Sequence, residues 1–194
     1  MRHNNTRHLV LTSLFVAMIL LLGFTPIGLI PLGFINITIL CVPVVIGTIV
    51  LGLKTGIVLG FCFGTVSALS AFGIMGTPSS LAATLVAANP FLALVMCYVP
   101  RLLVPITVHL VHKLVSRSKP IARMALPASA AAGSLCNTVF YLGLMLLFYV
   151  MMGIEYANLL ALIGGTGLIA GAAEAVAAAV ISTPVVVALR KIRK

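Results

Sequence analysis

The 194-residue chain contains no aspartate and only two glutamates, Glu155 and Glu174. Glu155 falls in a loop and Glu174 in an apolar run, so the paired acid and base of a hydrolase cannot be assembled. No GxxxxGK[ST] loop is present to cradle ATP phosphates, and no HExxH to hold a catalytic zinc. The chain is therefore not expected to be an enzyme, to hydrolyse ATP by itself, or to need a cofactor. The four cysteines, Cys41, Cys62, Cys97 and Cys136, form no CxxC pair or other zinc spacing and are expected as small, reduced core residues. His109 and His112 lie three apart, but no carboxylate or cysteine accompanies them, so an interfacial role is expected over a metal site. Charge is scarce as well: 7% of residues are charged, against roughly 25% in soluble domains whose surface water must solvate.

Apolar residues take the place of the missing charge. They make up 62% of the chain, and the mean hydropathy is +1.27. Lipid is the solvent that such a surface requires. A crossing takes about 20 residues, so residues 1–194 are expected to form a single transmembrane domain. Its fold class is all-α, an integral membrane bundle of six helices. The crossings are read at 8–24, 37–53, 56–74, 89–115, 122–151 and 160–189. Basic residues precede the first apolar run, but no small-residue cleavage site follows it, so that run is expected to remain as the first crossing.

The net charge of +10 raises nucleic acid as a partner. However, the basic residues sit in short clusters between apolar runs, with no continuous stripe and no stacking motif, so no nucleic acid is expected. Arg2 and Arg7 precede the first run, Lys54 follows the second, and Lys113, Arg117, Lys119 and Arg123 follow the fourth. Arg190, Lys191, Arg193 and Lys194 follow the sixth. The alternate loops carry no basic residue. Retention of lysine and arginine in the cytoplasm then puts both termini on that side of the membrane.

Small residues recur at every fourth position: Gly56, Gly60, Gly64 and Ala68 in the third run, Gly167, Gly171, Ala175, Ala179 and Thr183 in the sixth. In lipid, such stripes are packing seams that let helix backbones approach. Ser13 and Ala17 form a shorter small-xxx-small pair in the first run. The loop from Thr25 to Asn36 is apolar, yet Pro26 and Pro31 exclude a regular helix from it. An irregular lid over the bundle mouth and a loop resting on headgroups both fit that composition.

The chemically informative residues are polar ones at mid-membrane depth: Arg101, Asn137 and Glu174. An ionisable group there requires a partner or a wet cavity. An Arg101–Glu174 ion pair and a ligand site using one or both remain alternatives at this point. Pro100 and Pro105 each remove a helical hydrogen bond, freeing the carbonyls of Met96 and Arg101 and kinking a plausible cavity wall. Asn89 and Pro90 are expected to open that helix as cap and first residue. The candidate substrate contacts are Arg101, Asn137, Glu174, Asn36 and Asn89.

The chain resembles the substrate-binding S-components of energy-coupling factor (ECF) vitamin transporters. The likeness runs through Thr25-Pro-Ile-Gly-Leu-Ile-Pro-Leu-Gly, Pro43-Val-Val-Ile-Gly-Thr-Ile-Val-Leu-Gly52 and Asn89-Pro through Pro100-Arg-Leu-Leu103. It continues in Gly133-Ser-Leu-Cys-Asn-Thr138 and Gly171-Ala-Ala-Glu-Ala175. The resemblance implies a six-helix bundle that binds a vitamin near its outer face and works with a membrane scaffold subunit and two cytoplasmic ATPases. It also implies docking to the scaffold through the first helix, where Ser13-x-x-x-Ala17 stands in place of the family's Ala-x-x-x-Ala. The motifs are most similar to pantothenate-type members, and an anionic substrate suits a buried Arg101. Riboflavin and vitamin B6 compounds are alternatives within the family. A stand-alone transporter, proton-coupled through Glu174, is the rival outside it, but the inverted repeat that such a protein would carry is not seen.

Overall fold

Lipid offers no hydrogen bonds to an open backbone, so apolar runs satisfy their amides internally as helices. The computed structural model describes residues 2–25, 28–31, 36–75, 78–117, 121–154, 160–161 and 163–192. In chain order the elements are α1 (Arg2–Phe24), β1 (Leu29–Pro31), β2 (Asn36–Thr38), α2 (Cys41–Leu51) and α3 (Leu53–Ala71). They continue with α4 (Ser80–Ala88), α5 (Pro90–Arg117), a 3₁₀ turn (Ala122–Met124), α6 (Ala125–Met151), a π turn (Ile163–Gly167) and α7 (Leu168–Ile192).

Five of these segments are long and apolar enough to cross a membrane: Thr6–Phe24, Leu53–Ala71, Pro90–Arg117, Ala122–Met151 and Leu168–Leu189. The expected crossing at 37–53 contracts to the 11 residues of α2, which at about 1.5 Å per residue reach only ~16 Å. Two local causes set its ends. Residues 36–38 pair with β1 instead of joining the helix, and Gly52 breaks away with φ of +95°, a conformation that glycine adopts without steric cost. What α2 lacks in length it has in burial. Residues 41–48 and 50 are buried, and α2 touches every long helix of the bundle.

The all-α expectation needs one amendment, a short antiparallel ribbon. Its register pairs Leu29 with Thr38, Ile30 with Ile37 and Pro31 with Asn36. Within the Thr25–Asn36 loop, residues 29–31 and 36 thus pair as strands, and residues 26–27 and 32–35 lie outside the described residues. Helix α4 also occupies a stretch read as loop. Ser79 caps it by accepting from the Ala82 N–H at 3.4 Å, and it stops at Asn89 because a residue before proline disfavours helical backbone. Pro90 opens α5 as expected, with Asn89 Oδ1 accepting from the N–H groups of Phe91 and Leu92 at 3.1 and 3.3 Å.

Glycine contacts fix how the helices run. A Cβ on Gly60 would lie 2.6 Å from the Arg101 carbonyl oxygen, and one on Gly64 would lie 2.7 Å from the Tyr98 ring. The third-run seam therefore packs antiparallel against α5. On α7, Gly171 meets Thr138 of α6, where a Cβ would come within 2.9 Å. This antiparallel order gathers the ribbon, α4 and the π turn at one end. Arg7, Lys54, Lys113, Arg117, Arg123 and Lys191 gather at the other.

Candidate functional site

The kink of α5 builds the first part of the site. Pro100 has no N–H to give the Met96 carbonyl, and Arg101 Nη1 donates to that oxygen at 3.2 Å. The guanidinium is further held between aromatic faces, its Cζ lying 4.4 Å from the Tyr141 ring centroid and 5.3 Å from that of Phe63. Such stacking suits a flat, weakly hydrated cation. Arg101 is only 5% exposed, and its Nε has no hydrogen-bond partner among the described residues. Buried donors are nearly always paired, which sets this one apart.

Asn137, one turn before Tyr141 on α6, repeats the pattern. It is 4% exposed, and its Oδ1 accepts no hydrogen bond from the described residues. Both residues line one cleft, whose free space is about 50 Å³, less than the ~300 Å³ at which small-molecule sites usually begin, so a ligand must widen it. Ser67, Ser70 and Ala71 of α3, Ser79 and Ala82 at the start of α4, and Leu142 of α6 also line the cleft.

Glu174 lines the same cleft but is engaged differently. Its Oε1 accepts from the Thr38 backbone N–H at 2.6 Å, and its Oε2 accepts from Thr138 Oγ1 at 2.9 Å. Among the described residues no ion pair joins it to Arg101, so the pairing considered from sequence does not form.

The structure thus brings Arg101, Asn137 and Glu174 together at one cleft. Asn36 lies on β2, two residues before Thr38. Asn89 is taken up with capping α5 and is not among the described residues that line the cleft. Ser13 and Ala17 are exposed on α1. No group of three or more histidine, cysteine or acidic side chains placed to hold a metal occurs among the described residues. Sequence reading missed Ser67, Ser70, Ser79 and Tyr141. The three-residue spacing of Ser67 and Ser70, which puts both on one helix face, was the available signal.

A family model for the substrate-specific component of ECF transporters matches residues 7–186. The chain is also similar to the pantothenic acid transporter PanT of Lactococcus lactis subsp. cremoris (strain MG1363). The two are 28% identical over 165 residues, which cover 78% of this chain and 76% of that protein.

Proposed function

Because the chain belongs to the family of ECF transporter substrate-specific components, we propose that it captures pantothenate for an ATP-driven importer in the plasma membrane. The observation that carries this reading is the pair of orphaned buried atoms, Arg101 Nε and Asn137 Oδ1, at one cleft. Pantothenate offers a carboxylate, an amide and hydroxyls. Its carboxylate complements the guanidinium through charge-assisted hydrogen bonds, and an O–H or N–H complements Asn137 Oδ1. The serine hydroxyls of the cleft suit its remaining polar groups. The similarity to a pantothenic acid transporter supports the same substrate.

In this reading the chain crosses the membrane six times. The buried α2 and the ribbon together make up the crossing that α2 is too short to make alone. Both termini face the cytoplasm with the basic end of the bundle, and the cleft opens outward. The partners are a transmembrane scaffold subunit and two cytoplasmic ATPases, and the exposed Ser13–Ala17 face of α1 is the docking surface. Uptake that survived complete removal of the ATPases would instead identify a stand-alone transporter.

The direct test is mass spectrometry of small molecules released by denaturing the purified protein, followed by calorimetric titration of the emptied protein. A pantothenate peak and saturable binding are expected. Riboflavin or a vitamin B6 compound in its place, with no pantothenate binding, would overturn the substrate assignment.

A further inference from the structure

The hydrogen bonds of Glu174 carry an inference that rests on reading the cleft as the ligand site. We propose that Glu174 is the anchor that fastens the β1–β2 ribbon to the bundle, a positioning residue and not a ligand contact.

The argument starts from β2. Successive N–H groups of a strand point to opposite sides. The Ile39 N–H donates to the Gly28 carbonyl at 3.1 Å, toward the strand that precedes it. The Thr38 N–H therefore points the other way, off the free edge of a two-stranded ribbon. Thr38 is buried, so water does not satisfy that edge amide, and an unpaired one would be costly. Glu174 Oε1 meets it at 2.6 Å.

The second oxygen makes the contact an anchor. Oε2 accepts from Thr138 on α6, so one carboxyl ties β2 to both α6 and α7. Thr38 is a joint of its own, because its Oγ1 accepts from the Leu40 N–H at 3.2 Å, just before α2 begins. A ligand between Arg101 and Asn137 thus lies beside a ribbon whose position Glu174 sets.

Proton counting gives the proposal a sharp edge. The Thr138 hydroxyl has one hydrogen and two acceptors in reach, Glu174 Oε2 at 2.9 Å and the Ser134 carbonyl at 3.2 Å. A glutamine at 174 would keep the Thr38 bond through its carbonyl oxygen. Its amide would donate to Thr138 Oγ1, releasing that hydroxyl to Ser134. Anchoring therefore needs the shape and acceptor of Glu174, not its charge.

The experiment is hydrogen exchange on the full chain without ligand, in detergent, for wild type, Glu174→Ala, Glu174→Gln and Thr138→Val. Dissociation of pantothenate is measured in parallel. In Glu174→Ala the amides of residues 36–39 are expected to exchange about ten-fold faster, and pantothenate to leave about ten-fold faster. Thr138→Val, which leaves the Thr38 bond in place, should cause a smaller rise. Glu174→Gln should retain slow exchange, and with it most of the ligand's residence time. Unchanged ribbon exchange in Glu174→Ala would overturn the proposal, as would a glutamine variant that exchanges as fast as the alanine one. If Glu174→Ala does not fold, Thr138→Val decides: exchange at residues 36–39 no faster than in wild type would overturn the proposal. Failure of wild type to bind pantothenate would count against the substrate assignment and leave the exchange result intact.

Discussion

Replacing Arg101 tests the chemistry of the cleft most directly. Arg101→Lys keeps a positive charge but loses the planar fork and most of the stacking on Tyr141, whose ring centroid is 4.4 Å away. One charge-assisted hydrogen bond and a partly desolvated cation–π contact together come to about 2 kcal/mol, roughly a 30-fold loss of affinity. Arg101→Met removes the cation altogether and leaves a bound carboxylate without its partner. That costs about 4 kcal/mol, or several hundred-fold. Neither change touches the bonds that Glu174 makes to Thr38 and Thr138. The double variant Arg101→Met with Glu174→Gln should therefore melt as the sum of the single changes, within about 1 kcal/mol, and still fail to bind. The assay is calorimetric titration with pantothenate together with melting temperature in detergent, for the single and double variants. The reasoning is refuted if a folded Arg101→Met retains affinity within about three-fold, or if the double variant recovers stability and binding together, as a purely structural ion pair would require.

Asn137→Leu should lower affinity by about ten-fold, the worth of one buried hydrogen bond. It should not lower the melting temperature, because Oδ1 has no partner among the described residues; a marked loss of stability would assign Asn137 to the fold instead. Gly60→Ala should destabilise by about 1–3 kcal/mol through overpacking, since its Cβ would meet the Arg101 carbonyl at 2.6 Å. Gly143→Ala, with nothing within 4 Å, should be neutral or gain up to about 1 kcal/mol in helix propensity. Equal melting temperatures for the two would refute close approach as the reason for Gly60. Ser13→Leu or Ala17→Leu should abolish uptake by cells while pantothenate binding by the isolated protein persists, because both residues are exposed on α1. Normal uptake and complex assembly in both would remove this face from the docking surface.

The membrane class, the long helices and the packing seams were legible in the sequence because they depend on composition and period. Apolar runs near 20 residues must become helices in lipid, and glycine at every fourth position marks a close backbone approach wherever the partner lies. Asn89 and Pro90 likewise announce a helix start through local chemistry alone. Short elements escaped for the opposite reason. Residues 36–38, Asn-Ile-Thr, are too short a run to show a strand period, and what turns them into a strand is the local hairpin pairing with Leu29–Pro31, which rests on backbone register and not on side-chain pattern.

The same division runs through the cleft. Arg101, Asn137 and Glu174 could be singled out from sequence because polar groups at membrane depth need a reason to be there. Whether the two charges face each other was open, since equal depth on two helices leaves rotation about each axis free. Tertiary packing decided it. The carbonyl freed by Pro100 and the ring of Tyr141 hold Arg101 in one direction, while the edge amide of Thr38 and the hydroxyl of Thr138 hold Glu174 in another. Sequence determines which groups must be satisfied inside the bilayer, and only the assembled bundle determines by what, because apart from the Met96 carbonyl the satisfying partners lie on other elements of the chain.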